Sequence, residues 1–175
     1  MVILANSCVA LLERCLGLRG EQEFGSRFQD AVAVALRSLD EYRGCYSNPG
    51  AGQPDIIAGT TGFEVKSTSK EAVDLAGNYH EIRGQYPHFR LIGLRTDVKP
   101  YPLWVIRMPD DPPTRVRFER MLAAGLQPDA DVEARLARAL AAILGAAGTA
   151  WSDEPDRAQA KKHLERMQPS PAAVS

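Results

Sequence analysis

Residues Asp55 to Gly59 and Gly62 to Ser67 are two short strand-like runs separated only by a turn around Thr60 and Thr61, a spacing that predicts a β-hairpin. The stretch ahead of it, Asn48-Pro-Gly-Ala-Gly-Gln-Pro54, holds two prolines and two glycines and must be a loop. Alternate side chains of a strand share a face, so Phe63 and Val65 point one way and Glu64 and Lys66 the other. The hairpin therefore needs an apolar layer against Phe63 and Val65. It presents a carboxylate and an amine together on its opposite side.

The flanking segments supply such a layer. Cys8, Leu11, Leu12 and Cys15 recur at helical spacing behind Asn6 or Ser7 as N-cap, predicting a short helix that ends at Gly17 to Gly20. From Glu21 to about Leu39 the residues Phe24, Phe28, Val32, Ala35 and Leu39 form one apolar stripe, and Arg43 to Ser47 follows as a first strand. Thr68-Ser-Lys-Glu71 matches a capping box and Leu75, Tyr79, Ile82 and Tyr86 continue at helical spacing, predicting a helix from Ser69 to Tyr86. Phe89 to Arg95 and Pro102 to Arg107 read as strands, and the prolines from Pro109 to Pro113 close the sheet region. Two helices complete the chain, one around Asp131 to Leu144 and one over Trp151 to Met167, the latter with Ser152 or Asp153 as cap and Pro155 in its first turn. The expected fold is a single α/β domain over residues 1–167. It has a mixed β-sheet of about five strands flanked by helices, additional N- and C-terminal helices, and a disordered tail over residues 168–175.

Composition narrows the function. Twenty-one Lys+Arg against twenty-two Asp+Glu give a net charge of −1, so no global positive field draws the chain onto nucleic acid and any such site must be local. No apolar run reaches the roughly 18 to 20 residues of a membrane helix, and Glu13 and Arg14 interrupt the apolar N-terminus, so the expectation is a cytoplasmic protein without membrane association. Cys8, Cys15 and Cys45 lack CxxC spacing and are expected to be buried thiols. His80, His88 and His163 show no metal-ligand spacing, and no P-loop pattern is present.

The chemistry lies in Gln53-Pro-Asp55 and Glu64-Val-Lys66. If the turn pairs Ala58 with Phe63, Asp55 falls opposite Lys66 and diagonal to Glu64 on one face. Two carboxylates so placed favour a hard divalent cation such as Mg²⁺. A lysine beside them can position water or stabilise a developing phosphorane charge, which together makes the equipment for metal-assisted phosphodiester hydrolysis. A Glu-x-Lys triplet alone arises by chance about once in 300 positions; the Pro-Asp on the preceding strand gives it weight.

At these residues the chain resembles the PD-(D/E)xK nuclease superfamily, the restriction-endonuclease-like fold, through Pro54-Asp55, Glu64-Val65-Lys66 and the predicted element order from Glu21 to Arg95. The resemblance covers less than half of the chain. It implies Asp55 and Glu64 as Mg²⁺ ligands with Mn²⁺ as a possible substitute, the Val65 backbone carbonyl as a further ligand, and Lys66 near the attacking water. Many members carry a Glu on the first core helix; here Phe28 is followed by Gln29, a weak ligand, with Glu23 as the alternative. The implied activity is that of a type II restriction endonuclease cutting double-stranded DNA as a homodimer to leave 5′-phosphate and 3′-hydroxyl ends. The alanine-rich helix Asp131 to Leu144 is the candidate interface, and a companion DNA methyltransferase would act on the same sequence. Two other readings stay open: a structure-selective nuclease such as a junction resolvase or repair nickase, and a non-catalytic DNA-binding subunit.

The charge distribution suggests where DNA would lie. From Arg83 to Arg120 there are eight Lys/Arg and four Asp/Glu, whereas Met121 to Asp156 has two and six. The basic tract is the expected phosphate-facing surface, with Lys70, Asn78, Arg83, Gln85, Arg90, Arg95 and Lys99 as candidate DNA contacts.

Overall fold

The stripe Phe24, Phe28, Val32, Ala35 and Leu39 is buried and forms the centre of the larger of two apolar clusters. In the computed structural model, which describes residues 1–47, 50–75 and 79–168, the two predicted N-terminal helices are one element, α1 (Asn6–Arg37). It is broken at Gly20, whose φ of 77° lies in the left-handed region that glycine enters without a Cβ penalty. The predicted caps do not form: Asn6 and Ser7 lie inside the helix, and Ala5 precedes it without a side-chain cap bond.

Five strands fall on the predicted strand runs, to within a few residues: β2 (Tyr46–Ser47), β3 (Ile56–Ala58), β4 (Thr61–Thr68), β6 (His88–Arg95) and β7 (Pro102–Arg107). Two more, β1 (Val2–Ile3) and β9 (Gln127–Pro128), are two residues long, too short to leave a periodic signal, and both pair with β7. The result is an α/β protein with a mixed sheet of seven strands in the order β1-β7-β6-β4-β3-β2, β9 also lying on β7, and β4 and β6 as its one parallel pair. One face, bearing Phe63, Val65, Ile92, Leu94, Leu103 and Val105, packs against α1 and α3 (Ala130–Ala147). The other face bears Phe89, Leu91, Trp104 and Ile106. It is covered by α2 (Tyr79–Gln85) and by a separate two-stranded sheet of β5 (Ala72–Asp74) and β8 (Arg115–Arg117). Where this layer crosses β6, Gly93 is required, because a Cβ there would lie 2.2 Å from Cε1 of Phe118, whose ring stacks on Trp104.

The predicted helix from Ser69 to Tyr86 is corrected. The Thr68 hydroxyl does accept a backbone N–H, that of Lys70, but closes a turn and not a helix. Residues 72–74 enter β5 because Val73 meets Val116 across the small sheet and both bury. Among the described residues of that range, Tyr79–Gln85 is helical. A partner about forty positions away in sequence overrode a local capping signal, as tertiary pairing does for short apolar runs of ambiguous period.

The C-terminal helix is also divided. α4 (Ala150–Asp153) stops at Glu154, and Asp156, not Ser152 or Asp153, caps α5 (Arg157–Arg166) by accepting from the N–H groups of Ala158 and Gln159. The break is held to α1 by Arg27, a fully buried guanidinium that donates to the carbonyls of Trp151 and Glu154. α3 buries Val132, Leu136, Leu140, Ile143 and Leu144 within the same cluster as α1, so its apolar stripe is not available as the expected dimer interface. Cys8, Cys15 and Cys45 are buried thiols. Residues 169–175 of the expected tail lie outside the described residues, and among those described no helix is long and apolar enough to cross a membrane.

Candidate functional site

The β3–β4 hairpin turns at Gly59 and Thr60, pairing Ala58 with Thr61, Ile57 with Gly62 and Ile56 with Phe63. The register differs by two residues from the one the sequence suggested, and a shift of two leaves every side chain on its expected face. Continued by one step, it sets Asp55 directly opposite Glu64 in place of Lys66. Pro54 fixes the entry into this strand: it is buried, with Cγ only 2.9 Å from where a Cβ on Gly62 would stand. The absence of a side chain at residue 62 is what lets Pro54, and so Asp55, close over β4.

The hairpin brings Asp55, Glu64 and Lys66 together. The Val65 N–H donates to Oδ2 of Asp55 at 2.9 Å, and the ammonium of Lys66 lies 3.2 Å from Oε1 of Glu64. Gln29, on α1, donates from Nε2 to the backbone carbonyl of Asp55 at 3.3 Å. Burial raises the Asp55 carboxyl above its ordinary value, against the opposing influence of the Val65 N–H and the Lys66 charge. Glu64 is raised to about 7, first by burial and then by the adjacent Asp55 charge, with Lys66 pulling the other way. Each carboxyl shifts the proton affinity of the other, so the two titrate as a pair.

This donor set fits a hard divalent cation. Two carboxylates close enough for one to raise the other's proton affinity are a pair that a divalent cation can neutralise. The Val65 carbonyl points to the same side of β4 as the Val65 N–H, toward Asp55, where β4 runs on past its partner β3. Among the described residues no group of three or more His, Cys, Asp or Glu side chains is gathered as a metal site, so the first-helix carboxylate of the resembled family has no counterpart here. Gln29 holds the Asp55 backbone, and Glu23 pairs with Nε of Arg27 at 3.1 Å.

At the carboxyl end of β4 a cleft of about 320 Å³ lies between α1 and β5, lined by Glu21, Lys66, Ser67, Thr68, Ser69 and Lys70 among others. Gly25 of α1 faces the cleft, where a Cβ would make ordinary contact with the Ser67 hydroxyl at 3.6 Å. Glu21, whose carboxylate accepts from the Ser69 hydroxyl, escaped the sequence reading; its spacing of four from Gly25 and eight from Gln29 places all three on one helix face.

The expected DNA contacts divide. Lys70, at the cleft, and Gln85, at the end of α2, are exposed. Three others have their guanidinium groups engaged within the fold. Arg83 is buried and donates to the carbonyls of Met108, Pro109 and Tyr86 and to Asp110; Arg95 is buried and bridges Asp97 and Glu119; Arg90 pairs with the buried Asp129 at 3.1 Å. Lys99 is exposed but paired with Glu13, a residue outside the site. Asn78 lies outside the described residues. The positive excess of the Arg83–Arg120 tract is thus largely spent on carboxylates, some of them far away in sequence. No family model matches the chain, and comparisons with curated proteins and with solved structures return no significant match.

Proposed function

We propose that this protein is a Mg²⁺-dependent DNA endonuclease built on a restriction-endonuclease-like core, and that it hydrolyses phosphodiester bonds at Asp55, Glu64 and Lys66. The observation that carries the reading is the convergence of these three charged side chains at one hairpin, with a buried Glu64 whose proton affinity is raised to about 7. A buried carboxylate pair without a cation is costly for a fold to keep. A divalent cation held by Asp55, Glu64 and the Val65 carbonyl would supply Lewis acidity to the phosphate and a lowered pKa to water, with Mn²⁺ as a substitute.

The chain's own residues do the positioning. Asp55 is anchored from two sides, by Val65 through its carboxylate and by Gln29 through its backbone, which keeps its free oxygen aimed at the shared site. Lys66 holds its charge 3.2 Å from Glu64 and lines the adjoining cleft, where it can orient the attacking water and offset the negative charge that builds on phosphorus. The cleft, with its hydroxyls of Ser67, Thr68 and Ser69 and the exposed ammonium of Lys70, suits the sugar-phosphate backbone next to the scissile bond.

Cutting both strands requires two such sites, so the proposal includes a homodimer, with an interface other than the apolar stripe of α3. The test is incubation with a long unmethylated duplex and with a branched duplex, each with Mg²⁺. Discrete fragments support a restriction enzyme, selective for a sequence that a companion methyltransferase would protect. Cutting confined to the branched substrate supports a structure-selective nuclease, and tight binding without cutting leaves only a DNA-binding subunit.

A further inference from the structure

We propose that Tyr79 is a further member of this site, its phenol hydroxyl donating a hydrogen bond to the phosphate oxygen held beside Glu64; the inference rests on the phosphodiesterase reading above. Tyr79 opens α2 and is 3% exposed, yet its hydroxyl is buried without a hydrogen-bond partner. A buried phenol in a native interior ordinarily finds a partner, and one that lacks it is aimed at something the fold does not itself provide.

The position of the ring says what that is. Tyr79 meets Phe89 edge-on, with centroids 5.0 Å apart. Phe89 is the register partner of Gly62 on β4, and its ring lies 3.0 Å from where a Gly62 Cβ would stand. Glu64 is the next residue along β4 on that same face, opposite Leu91. Tyr79 therefore sits over the strand pair that carries Glu64, near enough for the Glu64 charge to raise its pKa further above what burial already does. The phenol stays protonated, so it can only offer a hydrogen to an anionic oxygen.

Lys66 and Asp55 already engage Glu64. The acceptor that fits the remaining donor is a non-bridging oxygen of a phosphodiester brought against the carboxylate pair. Sequence periodicity assigned Tyr79 only to an apolar helix stripe, and its hydroxyl had no pattern to betray it.

The experiment compares Tyr79→Phe with the wild type and with Glu64→Gln in three measurements: thermal melting of the free protein, the further rise in melting temperature on adding Ca²⁺ with a short duplex, and single-turnover cleavage with Mg²⁺. The proposal expects the free Tyr79→Phe protein to melt at the wild-type temperature or above it, since an unpartnered hydroxyl is removed and the ring is kept. It expects the rise with Ca²⁺ and duplex to shrink and cleavage to slow by ten- to a hundredfold. Glu64→Gln should show no cleavage. A Tyr79→Phe protein with wild-type cleavage and a wild-type rise, beside an inactive Glu64→Gln, overturns the role of Tyr79 and leaves the site standing. A Tyr79→Phe protein that melts lower shows that the hydroxyl serves the fold, and overturns the proposal as well. Cleavage by Glu64→Gln at the wild-type rate, or no effect of Ca²⁺ and DNA on wild-type melting, overturns the phosphodiesterase reading and this inference with it.

Discussion

Replacing Glu64 by Gln removes the proton-binding group while keeping its shape, and the structure gives the sign of the resulting change in stability. Glu64 has a folded pKa of about 7 against an ordinary value of 4.5, because the fold buries it beside Asp55. A carboxyl raised on folding makes the native state bind the extra proton, so its contribution is fully present below pH 4.5 and is lost as pH rises to about 7. Each factor of ten in proton affinity is about 1.4 kcal/mol, which makes the loss across this window about 3 kcal/mol. That value already contains the opposing pull of Lys66, 3.2 Å away, so the gain for Glu64→Gln at pH 8 is of the same size, at most about 3 kcal/mol. At pH 4.5 the two proteins should be nearly equal. Urea unfolding at half-unit steps from pH 4.5 to 8, without divalent metal, measures the difference; for a chain of this size about 2 to 4 °C of melting temperature accompanies each kcal/mol. Parallel stability curves for wild type and variant across that range would refute the reasoning, and so would a variant that is less stable at pH 8.

Other outcomes follow from single contacts. Gly62→Ala puts a Cβ 2.9 Å from Pro54 Cγ and 3.0 Å from the Phe89 ring, displacing Asp55, so cleavage should fall at least tenfold, by more than about 1.4 kcal/mol in barrier, while the protein stays folded by circular dichroism. Gln29→Ala removes one 3.3 Å bond to the Asp55 backbone and should cost less than about tenfold in rate, measured under single-turnover conditions. Arg83→Ala leaves three carbonyls and Asp110 without their donor and should destabilise by about 2 to 4 kcal/mol in urea, with no selective loss of DNA affinity. Lys70→Ala should weaken binding to all duplex sequences alike and lower the salt slope by about one, as a phosphate contact does.

The hairpin was legible because its information is local. A period of two fixes which face Glu64 and Lys66 share, and any even error of register preserves it, so placing the turn at Thr60 and Thr61 in place of Gly59 and Thr60 misaligned Asp55 without misdirecting it. Gly59, with φ of 60°, was the signal for the true turn. What the sequence concealed depends on distant partners. Residues 72–74 form a strand only because Arg115–Arg117 lies alongside. Arg90 appears basic and free until Asp129 is placed against it, and Arg95 until Glu119 is. Net charge along a tract therefore overestimates the surface left for phosphate, since carboxylates elsewhere in the chain neutralise it.

On the proposed function, Asp55, Glu64 and Lys66 hydrolyse phosphodiester bonds with a divalent metal. Single-turnover cleavage of an end-labelled duplex by wild type and by Glu64→Gln, with Mg²⁺ and with EDTA, tests it most directly. The wild type should cut to 5′-phosphate and 3′-hydroxyl ends with Mg²⁺ and not at all with EDTA, and the variant should lose at least about a thousandfold in rate, on the order of 4 kcal/mol. Cleavage by Glu64→Gln at the wild-type rate, or wild-type cleavage that persists in EDTA, would contradict it.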